Sequence, residues 1–303
     1  MLAKSWKTGG DRVWLWILFG HLLCDFLFQS DRLIDLKRKN IIKGLLAHSF
    51  IHVNVYVVLL MVYWFIYGGS ISLILLAAAL IAIIHFFIDY LKIRLVSLNQ
   101  ATPYQAGLFV LDQVFHVISI LLVLTLLGLG SFSFSGIYDG IVLFSAGAYP
   151  WETMERVVAL GCIIVIGTYG AGYFLGILLK DFTPKDDIQK NHYTIANEKT
   201  EVRTRFLPNG EKESEMVSVK TEQLFKDSSQ KIGRYIGMLE RLLIIFLLLV
   251  QLPHGLAFLA ALKSLTRFKQ FDNKQFAEYY LIGTFSSSLI GIVLGVVALG
   301  VLQ

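Results

Sequence analysis

HLLCD at residues 21–25, HSFIH at 48–52, HFFID at 85–89 and DQVFH at 112–116 are the stretches that decide the fold. Each pairs two polar residues four positions apart, in surroundings of mostly Leu, Ile, Val and Phe. This spacing stacks two side chains on one face of an α-helix, one turn apart. Isolated imidazoles and carboxylates are costly in hydrocarbon, so we expect them to meet one another or a metal inside a helical bundle. The eight residues are His21, Asp25, His48, His52, His85, Asp89, Asp112 and His116.

The composition predicts a polytopic membrane protein. Of the 303 residues, 55% are hydrophobic and only 16% are charged, and the charged residues cluster between the apolar runs. A soluble domain of this length does not need so much apolar surface. The net charge of +5 is better explained by Lys and Arg in loops beside anionic lipid than by nucleic acid, because no basic helix or aromatic platform accompanies them. We therefore expect a multi-pass plasma-membrane protein that contacts lipid and no nucleic acid.

The order of the apolar runs predicts an all-α integral membrane protein: a bundle of about six spanning helices plus a re-entrant helical hairpin, with a small cytoplasmic β-hairpin insertion. The predicted spans are residues 13–29, 45–67, 71–91, 106–128, 157–179 and 276–299. The run 239–262 is broken at Pro253, so we expect two short helices that dip into the membrane and return. This arrangement keeps Lys263 and Arg267 on the cytoplasmic side.

Residues 180–234 interrupt the apolar pattern with eleven Lys or Arg residues, which predicts a cytoplasmic insertion. Polar and apolar residues alternate on both sides of Pro208-Asn209-Gly210, a pattern typical of a β-hairpin. A hairpin alone is marginal in water, so we expect it to lean on the bundle or on a cytoplasmic protein partner. The predicted domains are therefore residues 1–179 with the polar site, 180–234 as the insertion, and 235–303 with the re-entrant hairpin and the last span.

The predicted topology puts all four polar pairs in the cytoplasmic half of the membrane. Helices one and three run inward with their pairs near their carboxyl ends, and helices two and four run outward with their pairs near their amino ends. Five His and three Asp can furnish one divalent metal site, or two sites that share a carboxylate, and they suit zinc, manganese or iron. The alternatives are hydrogen bonds that only hold the bundle together, and a proton-conducting network.

HLLCDFLFQSD, KGLLAHSFIH, HFFIDYLK and LDQVFHV resemble the signature segments of a bacterial membrane-protein family catalogued as a domain of unknown function. The later segments ERLLIIF, LKSLTRF and AEYYLIGTFSS resemble its C-terminal region. The resemblance covers about residues 13–128 and 233–300 and leaves out the hairpin insertion. It implies a bacterial inner-membrane location and paired His/Asp motifs on the first four helices, but no activity. By residue type and spacing alone, the pairs are also similar to those of bacterial inner-membrane proteins described as metal-dependent hydrolases.

The leading hypothesis is a metal-dependent hydrolase that acts at the cytoplasmic leaflet on a lipid-linked phosphate or ester. His21, His48, His85 and one Asp would hold a divalent ion, which lowers the pKa of a bound water toward neutrality. A free carboxylate, Asp89 or Asp112, would act as the base. The alternatives are an ion or proton transporter, and a sensor or scaffold that presents residues 180–234. The outer halves of helices two to four are almost wholly apolar, which favours a closed pocket over a pore unless an oligomer supplies the missing path.

Overall fold

The computed structural model describes residues 13–130, 133–183, 192–206, 212–226, 230–268, 271 and 274–303. The chain divides into two compact units, one formed by Met1–Phe182 with Ile236–Gln303 and the other by Thr183–Tyr235. The first eight helices are α1 (Val13–Leu22), α2 (Asp31–Lys39), α3 (Ile41–Tyr67), α4 (Ile71–Leu98), α5 (Thr102–Leu126), α6 (Phe134–Ser145), α7 (Thr153–Val165) and α8 (Ala171–Leu178). The last three are α9 (Gln230–Leu249), α10 (His254–Arg267) and α11 (Lys274–Leu302).

Two α-helices are extended by π-helical turns, in which each turn of backbone takes up an additional residue. One π-turn, Leu23–Leu27, follows α1, and the other, Ile166–Gly170, joins α7 to α8. The second π-turn is contacted by Arg241 of α9, whose side chain is only 2% exposed. The Arg241 guanidinium donates to the carbonyl oxygens of Gly167 and Thr168 in this turn, and to Ser287 Oγ on α11. Arg241 therefore connects α9 to two other helices through hydrogen bonds in the core.

Local signals in the sequence explain several helix ends. The Ser30 hydroxyl accepts a hydrogen bond from the Leu33 amide and starts α2, and the Asn40 side chain accepts from Lys43 and starts α3. Ser133 starts α6 in the same way, because its Oγ accepts from the Gly136 amide at 3.0 Å. Helix α6 lies between the predicted spans 106–128 and 157–179, where no helix is predicted. The cap at Ser133 explains why a helix forms there.

The predicted count of about six spans is corrected by the structure. Among the described residues, five helical segments are long and apolar enough to cross a membrane, namely α3, α4, α5, Thr153–Leu178 and α11. Residues Val13–Leu27 and the helix α2 meet at 80°, and they would make a sixth span only if this bent pair were counted as one. The first predicted span, 13–29, is therefore the one that differs, because its described helical part, Val13–Leu27, is too short to cross a membrane alone.

The predicted class, an all-α bundle with a small cytoplasmic β-hairpin insertion, also needs correction in the size of its β-strands. In the second unit, β1 (His192–Phe206) and β2 (Lys212–Lys226) pair antiparallel, with His192 opposite Lys226 and Phe206 opposite Lys212. The strands reach well beyond the residues from which a hairpin was predicted. The predicted turn at Pro208-Asn209-Gly210 lies outside the described residues. The pairing alone does not establish a cytoplasmic insertion.

Helices α9 and α10 fold back on each other at the predicted break. Gln251, in the connection, has a positive φ of 57°, which allows the chain to reverse. Lys263 Nζ of α10 lies 2.5 Å from Glu240 Oε2 of α9. Gly255 of α10 also lies beside the side chain of Leu247 on α9. Neither α9 nor α10 is among the candidate spans, and the predicted re-entrant insertion into the membrane stays a prediction.

Candidate metal centre

All eight polar residues predicted from the sequence meet in one buried cluster. None of them is more than 8% exposed, and all five imidazoles are 1% exposed or less. The π-turn that follows α1 carries Asp25, while α1, α3, α4 and α5 carry the other seven. Three overlapping groups of these side chains offer ligand atoms within 4.8 Å of one another: His21 with Asp25, His52 and His85; His48 with His85 and Asp89; and Asp25 with Asp112 and His116.

Asp25 lies at the centre of the cluster. Its Oδ1 atom is 3.2 Å from His48 Nε2, 3.1 Å from His52 Nε2 and 3.7 Å from His85 Nε2. Its Oδ2 atom is 3.6 Å from His21 Nε2. Asp25 belongs to the π-turn Leu23–Leu27, and such turns are frequent at functional sites. The two carboxylate oxygens of Asp25 therefore contact different parts of the cluster.

Three atoms of the cluster match one face of a tetrahedral metal site. His48 Nε2 and His52 Nε2 lie 3.3 Å apart, and Asp25 Oδ1 lies 3.2 and 3.1 Å from them. Bonds of about 2.0–2.1 Å from a tetrahedral metal require ligand atoms about 3.3–3.4 Å apart. The same distances also fit hydrogen bonds from two imidazole N–H groups to Asp25. The geometry therefore satisfies the requirements of a metal site without identifying a metal.

Hydrogen bonds from the opposite ring nitrogens orient two of the imidazoles. His116 Nδ1 lies 2.8 Å from the Asp112 carbonyl oxygen, which can only accept, so Nδ1 carries the proton and a neutral His116 has its lone pair on Nε2. His52 Nδ1 lies 3.1 Å from the hydroxyl of Tyr56. If Nδ1 donates there, His52 Nε2 also has a free lone pair. Such outer hydrogen bonds are the usual means of fixing a ligating histidine.

Two lysines complete the cluster. Lys37 Nζ of α2 lies 2.8 Å from Asp89 Oδ2 and 3.1 Å from Gln29 Oε1. Lys92 Nζ of α4 lies 2.6 Å from Asp112 Oδ2. Asp89 and Asp112, which the sequence suggests as a free carboxylate base, therefore each accept a hydrogen bond from a lysine. With neutral imidazoles, the three carboxylates and two ammonium groups leave the cluster with a net charge of −1.

The two lysines and Tyr56 are not among the residues predicted from the sequence, although spacing indicates Tyr56 and Lys92. Tyr56 follows His48 and His52 at steps of four, and Lys92 follows His85 and Asp89 at steps of four and three. Both patterns keep the residues on one helix face. No such pattern indicates Lys37, because its position depends on how α2 packs.

Gln113 and Asn54 lie beside two of the polar pairs in the sequence, where outer partners of the pairs are expected, and the structure distinguishes them. Gln113 Nε2 lies 3.2 Å from Asp25 Oδ2 and 3.1 Å from Asp112 Oδ2, so it joins two of the carboxylates. Asn54 is exposed and donates instead to the Phe50 carbonyl oxygen at 2.7 Å. Gln113 therefore belongs to the cluster and Asn54 does not.

Gly44 is the reason that Lys37 can reach the cluster. A Cβ atom at Gly44 would lie 2.5 Å from Lys37 Cα and 2.6 Å from the Lys37 backbone nitrogen. No side chain fits at these distances, so glycine allows the backbone of α2 to lie directly against α3. In this position Lys37 extends inward to Asp89.

An aliphatic layer closes one side of the cluster. Ile17, Ile81 and Ile120 lie one turn from His21, His85 and His116, and they are at most 2% exposed. Leu60 and Leu124 lie in the same apolar core. On the other side, the side chains of Lys37 and Lys92 are 13% and 30% exposed. Solvent therefore reaches the cluster most readily from the side of the lysines.

The fold and the site define a helical protein that has, in the part of the chain that the structure describes, five candidate membrane spans and a buried His/Asp cluster that could hold a metal ion. Residues 13–138 match the family described as Protein of unknown function (DUF3307), so this part of the chain is a domain of unknown function. The match confirms the resemblance for this region, which contains all eight residues of the cluster. No match was found among curated proteins or solved structures.

Proposed function

We propose that this protein binds a divalent metal ion inside the membrane and serves as a metal-dependent hydrolase near the cytoplasmic leaflet. The observation that carries the proposal is the triangle of Asp25 Oδ1, His48 Nε2 and His52 Nε2, with edges of 3.1–3.3 Å. His85 would be a further ligand, because its Nε2 lies 3.7 Å from Asp25 Oδ1 and neither ring nitrogen has a hydrogen-bond partner among the described residues. This set of imidazole and carboxylate suits zinc, manganese or iron.

The surroundings of the cluster favour hydrolysis over conduction. Conduction needs a polar path across the whole bilayer, whereas Ile17, Ile81 and Ile120 form a fully buried aliphatic layer beside the imidazoles. A pocket that is closed on one side and reached from the other suits a substrate that enters and leaves by the same route. The lysine side of the cluster is that route.

Charge indicates an anionic substrate. The cluster has a net charge of −1 with neutral imidazoles, and one divalent ion would change this to +1. Lys37 and Lys92 add hydrogen-bond donors at the exposed side. A phosphate or another anionic group on a membrane lipid would satisfy both the charge and the depth of the site.

The chemistry follows from the positions of the protein groups. A bound divalent ion would supply a water of lowered pKa. Asp89 or Asp112 would accept a proton from that water. Lys37 would orient the carboxylate of Asp89, and Lys92 would orient that of Asp112.

The basic residues near the site support a cytoplasmic location. Arg32, Arg38 and Lys39 lie on α2 beside Lys37, and Arg94 follows Lys92 on α4. An excess of Lys and Arg marks the cytoplasmic side of membrane proteins. The two helix ends that carry the lysines of the cluster would therefore face the cytoplasm.

Metal analysis of the purified protein tests the binding part of the proposal. Protein prepared without chelators should contain at least one divalent ion per chain, and His52→Ala should lower the affinity for metal by more than the roughly 10–100-fold caused by losing an outer partner. His254→Ala is the matched control, because His254 is exposed and begins α10, and it should leave the metal content unchanged. Wild-type protein that lacks stoichiometric metal would overturn the proposal. Proton flux in liposomes would then be the next property to measure.

Hydrolysis is tested separately, with chromogenic phosphomonoester, phosphodiester and carboxylic ester probes in detergent. We expect a phosphate ester probe to be cleaved in the presence of metal, and Asp25→Asn to abolish the cleavage. Equal rates for wild type and Asp25→Asn on every probe, in preparations of equal purity, would contradict a hydrolase while leaving metal binding intact.

A further inference from the structure

We infer that the cluster holds two metal ions bridged by the carboxylate of Asp25, and that its substrate class is therefore a phosphate ester. This inference rests on the proposed metal binding. The first ion is held by Asp25 Oδ1 with His48 and His52, and the second by Asp25 Oδ2 with Asp112 and His116.

The two oxygens of Asp25 already contact different groups. Oδ1 lies 3.2 Å from His48 Nε2 and 3.1 Å from His52 Nε2. Oδ2 lies 3.2 Å from Gln113 Nε2, and that amide nitrogen is 3.1 Å from Asp112 Oδ2. One ligand atom from each of Asp25, Asp112 and His116 lies within 4.8 Å of the other two. A carboxylate shared between two groups of ligands is the arrangement that bridges two metals.

The second group contains buried ligand atoms that nothing else satisfies. Asp112 Oδ1 and His116 Nε2 are buried and have no hydrogen-bond partner among the described residues. His116 Nε2 also has its lone pair free, because Nδ1 donates to the Asp112 carbonyl oxygen. A carboxylate oxygen and an imidazole lone pair buried without a partner are each unfavourable. A cation between them would satisfy both.

The charges around Asp25 favour a shared cation site. Two divalent ions would raise the net charge of the cluster from −1 to +3 with neutral imidazoles, and an anionic substrate would lower it. The cluster has three carboxylates. Lys37 contacts that of Asp89, and Lys92 contacts that of Asp112. The central carboxylate of Asp25 has no lysine partner among the described residues. Gln113 is the neutral group that joins Asp25 to Asp112, and it would remain beside the second ion as an outer hydrogen-bond donor. Asp25 is therefore the carboxylate best placed to accept positive charge on both oxygens.

The separation of two such ions indicates the substrate class. Two-metal sites have ions about 3.5–4 Å apart, a distance that a carboxylate bridge provides. This spacing stabilises both the attacking and the leaving oxygen of a phosphoryl centre, which explains why such sites are common in phosphatases and nucleases. At this depth, the phosphate would belong to a membrane lipid or a lipid-linked molecule.

Reconstitution with manganese tests the inference. The purified wild-type chain is stripped of metal, titrated with Mn²⁺, and its bound metal counted by elemental analysis, with electron paramagnetic resonance as the second readout. We expect two Mn²⁺ per chain, with the spectrum of an exchange-coupled pair. His116→Ala should retain one ion with an uncoupled spectrum, His52→Ala should also retain one, and His254→Ala should retain both.

The outcomes distinguish the inference from the proposed function. One ion per chain in the wild type would overturn the bridged pair and leave the proposed metal site standing, whereas no ion would overturn both. Two ions in His116→Ala would overturn the assignment of the second site. If His116→Ala does not fold, the double variant Lys92→Met/Asp112→Asn replaces it. This variant removes a ligand of the second ion together with its lysine partner, so that no buried charge is left alone, and it should also retain one uncoupled ion.

Discussion

A lysine and a carboxylate that point into an apolar bundle are tolerable only as a pair. Asp112 is almost fully buried, with a side chain 1% exposed, whereas that of Lys92 is 30% exposed. Removing one partner leaves the other charge buried without a counter-charge. The loss of stability is larger when the remaining group is the more deeply buried one. Substituting Lys92 is therefore a more sensitive test of the ion pair than substituting Asp112.

Lys92→Met should lower the stability of the protein by about 3 kcal/mol, the lower end of the range for a broken buried pair. The double variant Lys92→Met/Asp112→Asn should recover part of this loss, because it removes both charges. Thermal unfolding in detergent, followed by circular dichroism, measures the difference. A double variant that is less stable than the single one would contradict the pairing.

Arg241 makes a set of hydrogen bonds that a lysine cannot reproduce. Its guanidinium donates from three nitrogens to Gly167, Thr168 and Ser287, and a planar fork is needed to reach all three acceptors. We expect Arg241→Lys to be nearly as destabilising as Arg241→Met, by about 2–3 kcal/mol, because buried carbonyl oxygens lose their donors. Thermal unfolding of both variants checks this, and a wild-type melting temperature for Arg241→Lys would argue for a simple charge at the membrane interface instead.

At the level of helices, the periodicity of the sequence predicts which residues share a helix face. It does not predict where a helix ends or where the chain bends. The four-residue spacing correctly brings His48 and His52 to the same cluster as Asp25. It does not indicate that α4 continues to Leu98, because the polar residue Lys92 looks like a helix end until its partner Asp112 is known. The 80° bend before α2 is equally hidden, since it depends on packing between segments rather than on any local signal.

Gly44→Ala should separate α2 from α3 and displace Lys37 from Asp89, because a methyl group would lie 2.5 Å from Lys37 Cα. We expect a loss of about 1–3 kcal/mol in stability, the usual cost of overpacking, together with weaker metal binding. Gly107→Ala on α5 is the matched control, since a methyl group there meets nothing within 4 Å. Thermal unfolding and metal titration of the two variants measure the contrast, and equal behaviour would show that the close approach at Gly44 is unimportant.

At the scale of the whole molecule, the sequence indicates the eight cluster residues and the membrane character, because both follow from composition and spacing along single helices. It overestimates the number of plain spans, because the apolar run 13–29 predicts a full span whereas its described helical part ends at Leu27 and is too short to cross alone. It also misses the lysine partner of Asp89. Lys37 reaches that carboxylate only through the tertiary contact at Gly44, and tertiary contacts leave no periodic signal.

The orientation of the chain in the membrane is still a prediction, and thiol labelling tests it. A Cys in place of Asn209 should resist an impermeant thiol reagent in intact cells, whereas a Cys in place of the exposed Ala148 should react, because the basic insertion is expected inside. Cys24 and Cys162 are both buried and should give little background. Labelling at position 209 but not at 148 would invert the orientation and move the cluster to the outer leaflet.

The π-turn at Ile166–Gly170 makes the segment Thr153–Leu178 unusually tolerant of one kind of length change. A π-turn takes up a surplus residue locally, so α7 and α8 on either side of it keep their rotational phase. Deleting one residue within the turn would return it to regular α-helix with both flanks still in phase, whereas deleting one residue from α7 would rotate part of that helix by about 100°. The turn is also where Arg241 donates to the carbonyl oxygens of Gly167 and Thr168. A chain without the surplus residue would keep α7 and α8 in place and lose only the acceptors that hold Arg241.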